Sequence, residues 1–366
     1  MGNSDSSGQA DEQEGTVRRQ VNKMVITVGI AVTLAIVAAV YLAFNFVEEE
    51  RGRNIQAWQV RLGIVADSRT SAVNEWVDEN FGVMRELSEN ASLQVYMTQL
   101  TLANGRKAEI TDEDGQAGYL RNLLISTANR AGYIPPPTAG DVAANVEKAG
   151  VAGLALADAS GNFIVSTPSM PPVSSKIRKA VLKALGGEPA LIDVFMGSSN
   201  LPSVGFVLPI FSVQGDEPKG IGAVIGIRLL GKDLFNKLKQ PGETAASAET
   251  YLVRELAGTV EYISPLADGT PPLKRSLAKD TPNLAATFAL KTLGGFGQKM
   301  DYLGEDVLVT SRPIANFPWV LVRKISRMEA LFETETRLKT ILIVFILIIV
   351  GVAVGFIAVW RHGSSV

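Results

Sequence analysis

Two side chains that often carry enzyme chemistry, cysteine and histidine, are nearly absent from this 366-residue chain. There is no cysteine, so neither a disulfide framework nor thiolate chemistry is available. The single histidine, His362, is the fifth residue from the end, which leaves the rest of the chain without imidazole for acid–base catalysis or metal ligation. No phosphate loop, His-rich cluster or nucleophile elbow occurs. Gly294-Gly295-x-Gly297 falls after a predicted helix and before a strand, the wrong context for a dinucleotide fingerprint. Carboxylate chemistry is not excluded. Lys176, Arg178, Lys179 and Lys183 lie on the polar side of a predicted helix over 174–185. They could attract an anion, but a solvated helix face is the reading preferred. A net charge of -2 gives no reason to expect nucleic acid as a partner. No cofactor is expected.

The elements that must position any such chemistry are organised by a repeat. Residues 154–168 read LALADASGNFIVSTP and residues 251–265 read YLVRELAGTVEYISP. They align without a gap, with Asp158 on Glu255, Gly161 on Gly258 and Pro168 on Pro265. Each is an apolar run, a turn centred on Gly, a second apolar run and a Pro stop. That is the pattern of a β-hairpin whose Gly supplies a positive φ. Val207-Leu208-Pro209-Ile210 and Ser311-Arg312-Pro313-Ile314 echo each other later, and each unit closes on Leu-Phe, at 234–235 and 331–332. Two copies are too few for a solenoid and predict two sister α/β modules in tandem.

Residues 1–23 open on Gly, Ser, Gln, Asp and Glu, a predicted disordered cytoplasmic tail, and end on Arg18, Arg19 and Lys23. Residues 24–46 are apolar but for Thr27, Thr33 and Asn45, and 341–360 form a second uncharged run. At ~1.5 Å per residue each is long enough to span a ~30 Å hydrocarbon layer. The basic cluster before the first run, with Glu48-Glu49-Glu50 after it, puts the N-terminus in the cytoplasm. Residues 47–340 are then periplasmic and 361–366 cytoplasmic. From Glu48 to about Leu102 apolar residues recur mostly at spacings of three and four, a long amphipathic helix filling 47–103. A helix of that length needs partners: the modules, a second copy of itself, or both.

Downstream, 104–117 reads as a loop, 119–130 as a helix, and Pro135-Pro136-Pro137 as a break. Asp141 can cap a short helix to Lys148. After the first hairpin and the 174–185 helix come strands at 190–196, 202–212 and 220–229, the last two joined at Gly215-Asp216. The second unit repeats the plan, with a helix at 283–292 and strands at 297–302, 306–314 and 318–325. Residues 328–340 then form a connecting helix into the second apolar run.

This order resembles the double Cache, or tandem PAS-like, sensor region of bacterial transmembrane receptors over residues 48–338. GAVIGIRLLGKDLF at 222–235 and PIANFPWVLVRKI at 313–325 carry the likeness locally. The resemblance implies an α+β fold: a long N-terminal helix and two modules of antiparallel sheet flanked by helices, bracketed by two transmembrane helices. The membrane-distal module would cover 104–240 and the membrane-proximal one 241–327. It further implies a bacterial inner-membrane receptor, a homodimer, a small-molecule ligand, and a cytoplasmic signalling domain or partner of kinase, cyclase or chemotaxis type. The amino-acid-binding subfamily carries Tyr-x-Arg-x-Trp-Tyr before the third strand. Here KIRKAVLKALGGEPALIDVF has no Tyr or Trp, which speaks against an amino acid held in the usual way.

In such a module the ligand lies between sheet and helices, in a mostly apolar concavity with a few polar groups. The candidates in the distal module are Asp193 and Phe195 on the third strand, Ser198 with Ser199 and Asn200 in the loop after it, Phe206 on the fourth strand and Arg228 ending the fifth. Alternation beside Ile192 and Val194 can also turn Asp193 outward. The proximal module offers Tyr302, Arg312 and Trp319, of which Trp319 reads as core and Arg312 as an edge or interface residue. No residue is assigned a catalytic or metal-binding role. The chain is read as a receptor and not an enzyme. A membrane-anchored periplasmic enzyme using Asp or Glu, and a structural tether binding a protein through its long helix, are the readings from other classes.

Overall fold

The computed structural model describes residues 6–103, 115–135, 150–197, 200–212 and 220–363. The chain divides into two compact units, one of residues 1–60 with 328–366 and one of residues 61–327. The first is built from parts of α1 (Ser6–Ser88) and α7 (Arg327–Gly363). These are the two helices, among the described residues, long and apolar enough to cross a membrane by length and composition. Leu34, Leu42 and Phe44 on one and Leu347 and Ile348 on the other are exposed. Past the apolar stretches, Trp58 Nε1 donates to the carbonyl of Ala330 at 2.8 Å, and Arg51 lies 3.7 Å from Glu335. The polar composition of residues 1–23 predicts disorder, whereas α1 is already helical from Ser6. Extending an existing helix fixes one residue per bond gained, so poor helix formers follow a strong apolar run.

In the second unit α1 does not continue to Leu102. It stops at Ser88, and α2 (Ala91–Ala103) starts after Asn90, whose Oδ1 accepts the N–H of Leu93 at 3.1 Å. An Asx side chain there caps a new helix. The apolar spacing hides the break because Leu87 and Leu93 enter the same core on either side of it. α3 (Gly115–Ala131) follows; the helix predicted after Asp141 and the turn at Gly215-Asp216 lie outside the described residues.

The first sheet runs β2-β1-β5-β4-β3, all antiparallel: β1 (Gly153–Asp158), β2 (Phe163–Ser166), β3 (Ala190–Met196), β4 (Pro202–Ile210) and β5 (Gly222–Leu229). Leu154, Leu156, Phe206 and Val224 face one core with Trp76 and Met84 of α1, Met97 of α2 and Leu124 of α3. Ala155, Ile192, Val207 and Ile225 face the other, against α4 (Ser175–Ala184). α4 is capped by Ser174, whose Oγ accepts the N–H of Ile177. α5 (Lys232–Leu238) leads to the second sheet.

That sheet runs β8-β7-β6-β11-β10-β9: β6 (Glu249–Leu256), β7 (Thr259–Tyr262), β8 (Ser276–Ala278), β9 (Phe296–Met300), β10 (Asp306–Pro313) and β11 (Trp319–Ser326). Leu252, Ile263 and Leu321 join the core shared with α1, and Tyr251, Val253, Tyr262 and Val309 pack on α6 (Ala285–Lys291). The short, mostly exposed β8 has no alternation to predict it. The architecture is the expected α+β arrangement of a long helix and two antiparallel sheets flanked by helices.

The two hairpins share a Gly at φ +80°, Gly161 and Gly258, but not a turn. Ala257 (φ +48°) and Gly258 form a two-residue turn with both φ positive, between the paired Leu256 and Thr259. In the first hairpin a bulge follows Leu156, and Asp158 Oδ1 accepts the N–H groups of Ser160 and Asn162 at 2.8 and 2.9 Å. The gapless alignment therefore fails on the strands. It matches Leu154 and Leu156, which face α1, with Tyr251 and Val253, which face α6. By position in the core Leu154 corresponds to Leu252, one residue further on. A slip of one residue turns every side chain of a strand to the other face.

Candidate functional site

β3 is the edge strand of the first sheet, and a bulge in it shapes the surroundings of the candidate residues. Ile192 pairs with Gly205 and Phe195 with Ser203, so Asp193 and Val194 together oppose Val204. Strict alternation would send Val194 to the α4 side with Ile192. The extra residue sends it to the α1 side and leaves Phe195 on the α4 side.

Two cavities flank this strand. One of about 470 Å³ is lined from the distal module by Ser174, Ser175, Lys176 and Ile177 at the start of α4, by Pro171 and Pro172, and by Phe195, Met196 and Gly197. The proximal module contributes Arg254, Glu261 and Leu273. Lys176 Nζ lies 5.5 Å from the centroid of the Phe195 ring. The other cavity, of about 840 Å³, lies along the opposite side. Asp78, Phe81 and Arg85 of α1, Leu191 and Asp193 of β3, and Asn316, Phe317 and Pro318 line it.

Asp193 is tied to the proximal module. Its Oδ1 accepts Trp319 Nε1–H at 2.7 Å, and its Oδ2 accepts Arg254 Nη1–H at 2.6 Å. Arg254, 6% exposed, also donates to the Val194 carbonyl at 2.8 Å and pairs with Glu261 through Nε and Nη2 at 2.7 and 2.6 Å. One guanidinium thus satisfies two carboxylates and a carbonyl from both modules, the multidentate use to which its planar fork is suited. Trp319 stacks on Phe317 with centroids 4.1 Å apart, and Phe317 meets Phe206 edge-on at 6.3 Å.

The predicted residues are therefore not gathered into one pocket. Phe195 lines the smaller cavity and Asp193 the larger. Phe206 is fully buried among Trp76, Phe81 and Phe317. Arg228 is pinned on the α1 side: Nη1 donates to Asn80 Oδ1 and the Ala131 carbonyl at 2.9 and 2.8 Å, and Nη2 to Asp233 at 2.8 Å. Tyr133, which donates to the same Asn80 oxygen, has its hydroxyl pushed well above the ordinary phenol range by burial, an effect Arg228 partly offsets. Ser198 and Ser199 lie outside the described residues; Asn200 sits at φ +56° in the loop. In the proximal module Arg312 pairs with Asp67 of α1 at 2.5 Å, the interface role expected of it, and Trp319 is core, 1% exposed. Tyr302 enters a buried polar cluster against α6.

Arg254 and Glu261 were not singled out by sequence reasoning. The signal available was the hairpin itself, whose register places them directly opposite each other. The bulge in β3 left no such mark. Among the described residues no group of three or more His, Asp or Glu could hold a metal ion. Glu261, the carboxylate that lines the smaller cavity, already accepts from Arg254, so the arrangement there is suited to holding a small molecule between an apolar wall and a cation.

No protein-family model matches the sequence, and no curated protein does. Solved structures are similar at low identity. The sensor domain of the V. cholerae histidine kinase DctB gives a TM-score of 0.46 at 12% identity, over 74% of this chain and 98% of that one. The ligand-binding domain of Mlp24 with asparagine gives 0.45 at 12%, over 79% and 99%. The ligand-binding domain of the Pseudomonas aeruginosa PAO1 amino acid chemoreceptor PctC, in complex with GABA, gives 0.40 at 15%, over 73% and 99%.

Proposed function

We propose that this chain is the ligand-sensing part of a bacterial transmembrane receptor. It takes a small molecule in the distal module and passes the signal through membrane helices to a cytoplasmic kinase, cyclase or chemotaxis-type domain, in the same chain or a partner. The observation that carries the reading is the 470 Å³ cavity beside Phe195, whose wall is shared by the two modules. Its apolar lining by Ile177, Phe195, Met196 and Leu273, with Lys176 at one side, suits a compact ligand with an apolar body and one anionic group. A ligand there bears on the bulge that carries Asp193, and so on Arg254 and Trp319. Trp319 begins β11, the strand that runs into α7. The ligand shifts this system only by its differential affinity for two module shapes. The chain itself performs no catalytic step in this reading.

Thermal-shift screening of the full chain in detergent, apolar carboxylates first, tests the ligand. A binder raises the midpoint by linkage, and Phe195→Trp, which pushes a larger ring into the cavity, is expected to diminish that rise. An undiminished rise in Phe195→Trp moves the site elsewhere, and turnover of the ligand favours an enzyme. The topology rests on the two apolar helices and on Arg18, Arg19 and Lys23. Reporter fusions at Ser7 and Ser364 are expected to report cytoplasm and one within 135–139 periplasm; a cytoplasmic signal from the last overturns it. A short run of glycines inserted between Glu335 and Thr336 should leave ligand affinity intact and abolish the response of a full receptor.

A further inference from the structure

The α6 side of the proximal sheet contains a polar cluster that the sensing function leaves unused. Tyr251, Tyr262 and Tyr302 surround one another with ring centroids 5.5, 5.9 and 5.6 Å apart. Into this cluster Lys324 of β11 brings its ammonium. Nζ lies 2.5 Å from Asp301 Oδ2, 3.1 Å from Glu249 Oε2 and 4.5 Å from the centroid of Tyr302. The side chains of Lys324, Glu249 and Asp301 are only 6%, 9% and 0% exposed. Lys324 and Glu249 are direct cross-strand neighbours.

The two carboxylates are held in place by other groups. Glu249 Oε1 accepts the N–H of Ala267 at 2.7 Å, and its Oε2 also accepts the Tyr302 hydroxyl at 2.7 Å. Asp301 Oδ1 accepts the N–H groups of Leu303 and Glu305 at 2.7 and 3.0 Å. A single carboxylate would neutralise one buried lysine, and here there are two, with an aromatic face beside them. Two more polar atoms point to a recognition site. The hydroxyls of Tyr251 and Tyr262, residues 0% and 1% exposed, have no hydrogen-bond partner among the described residues. Burial, and with it the charges of Glu249 and Asp301, push both hydroxyls well above the ordinary phenol range. Two fixed carboxylates around one nitrogen, with an aromatic face beside it, are the groups that recognise a free ammonium ion.

We infer that the proximal module contains a built binding site for a primary alkylammonium, and that its occupant is the chain's own Lys324. The lysine is a tethered ligand. It holds this module in the occupied shape at all times, on the strand that leads into α7. The inference is independent of whether and where the distal module takes a ligand.

Lys324→Ala in the full chain removes the atoms of n-propylammonium. The variant is expected to melt below the parent, and n-propylammonium chloride to restore the greater part of the lost midpoint saturably. Tetramethylammonium chloride at equal ionic strength, which cannot donate, should not, and the parent should respond to neither. A folded Lys324→Ala variant that n-propylammonium does not stabilise overturns the inference. So does a variant recovered folded neither with nor without the amine. Lys324→Met keeps the stem and deletes the charge. It is expected to melt below the parent and to regain part of the loss when combined with Glu249→Gln. A Lys324→Met variant as stable as the parent, or a double variant no better than the single, also overturns it.

Discussion

The two modules put different side chains on corresponding sheet faces. Against α4, the distal sheet presents Ala155, Ala157, Ala223, Ile192, Val207 and Ile225, and Gly205 comes so close to Ile192 and Ile227 that an added Cβ would lie 2.8 Å from each. Against α6, the proximal sheet presents Tyr251 and Tyr262, and Lys324, Glu249 and Asp301 fill the space around Tyr302. The distal face is apolar and ends at a cavity; the proximal face sets a buried, filled polar cluster among apolar residues. One architecture can therefore be left open or closed by the residues on a single face. Which state a module takes is decided by side-chain volume and charge, with the strand order of the five shared strands unchanged.

The largest contrast is expected in alkaline solution. Burial raises the hydroxyls of Tyr251, Tyr262 and Tyr302 above the ordinary value of 10.0, and Glu249 adds to each. A raised value in the folded state contributes stability that is complete below pH 10 and is lost as pH rises through the folded value. With three such groups against Tyr133 in the distal module, peptides from 249–262 should lose hydrogen-exchange protection at lower pH than peptides from 202–210. Simultaneous loss would erase the contrast.

Phe206→Ala comes next. It empties a fully buried position that touches Trp76, Phe81 and Phe317. The expected cost is about 3–5 kcal/mol in denaturant unfolding. Because Phe317 belongs to the proximal module, protection should fall most in the distal sheet and to a smaller extent at the start of β11, and loss confined to the distal sheet would show that the Phe206–Phe317 contact does not couple the modules.

Arg254→Met leaves Asp193 and Glu261 without their shared cation. Breaking a buried pair costs about 3–5 kcal/mol, and the exposure of Asp193, 36% of its side chain, brings the expectation to about 2 kcal/mol. An unchanged midpoint would show that Arg254 does not stabilise the junction of Asp193 with the proximal module. The smallest effects belong to the turns. Gly161→Val and Gly258→Val each force a β-branched residue to φ +80°, at a cost of about 1–3 kcal/mol. The two losses should be similar, because an added Cβ meets only ordinary van der Waals contacts at 161, 3.6 Å from Arg178 and 3.8 Å from Val181, and nothing within 4 Å at 258. An unchanged midpoint in either variant would count against backbone strain at that turn.

The sequence by itself determined the tandem plan, the apolar helices, the strands other than β8 and the turn glycines Gly161 and Gly258 at positive φ. These follow from periodicity, turn chemistry and composition, which act within a few residues. Helix α4 with its Ser174 cap, and strands such as 190–196, fall where local pattern placed them. Where the pattern crossed a register it failed. The hairpins align without a gap and are one residue out by face, because a bulge after Leu156 and a tight turn at Ala257-Gly258 take up different lengths. The candidate site depended on the same kind of event. Asp193 and Phe195 look like members of one pocket, and the bulge at Asp193-Val194 sends them to different cavities. Arg254, Trp319, Lys324 and Asp301 meet partners 126 to 23 residues away, distances over which no local pattern operates. Only the packed structure decided those pairings, since a charge is buried only where opposite charge and hydrogen bonds from other strands converge on it.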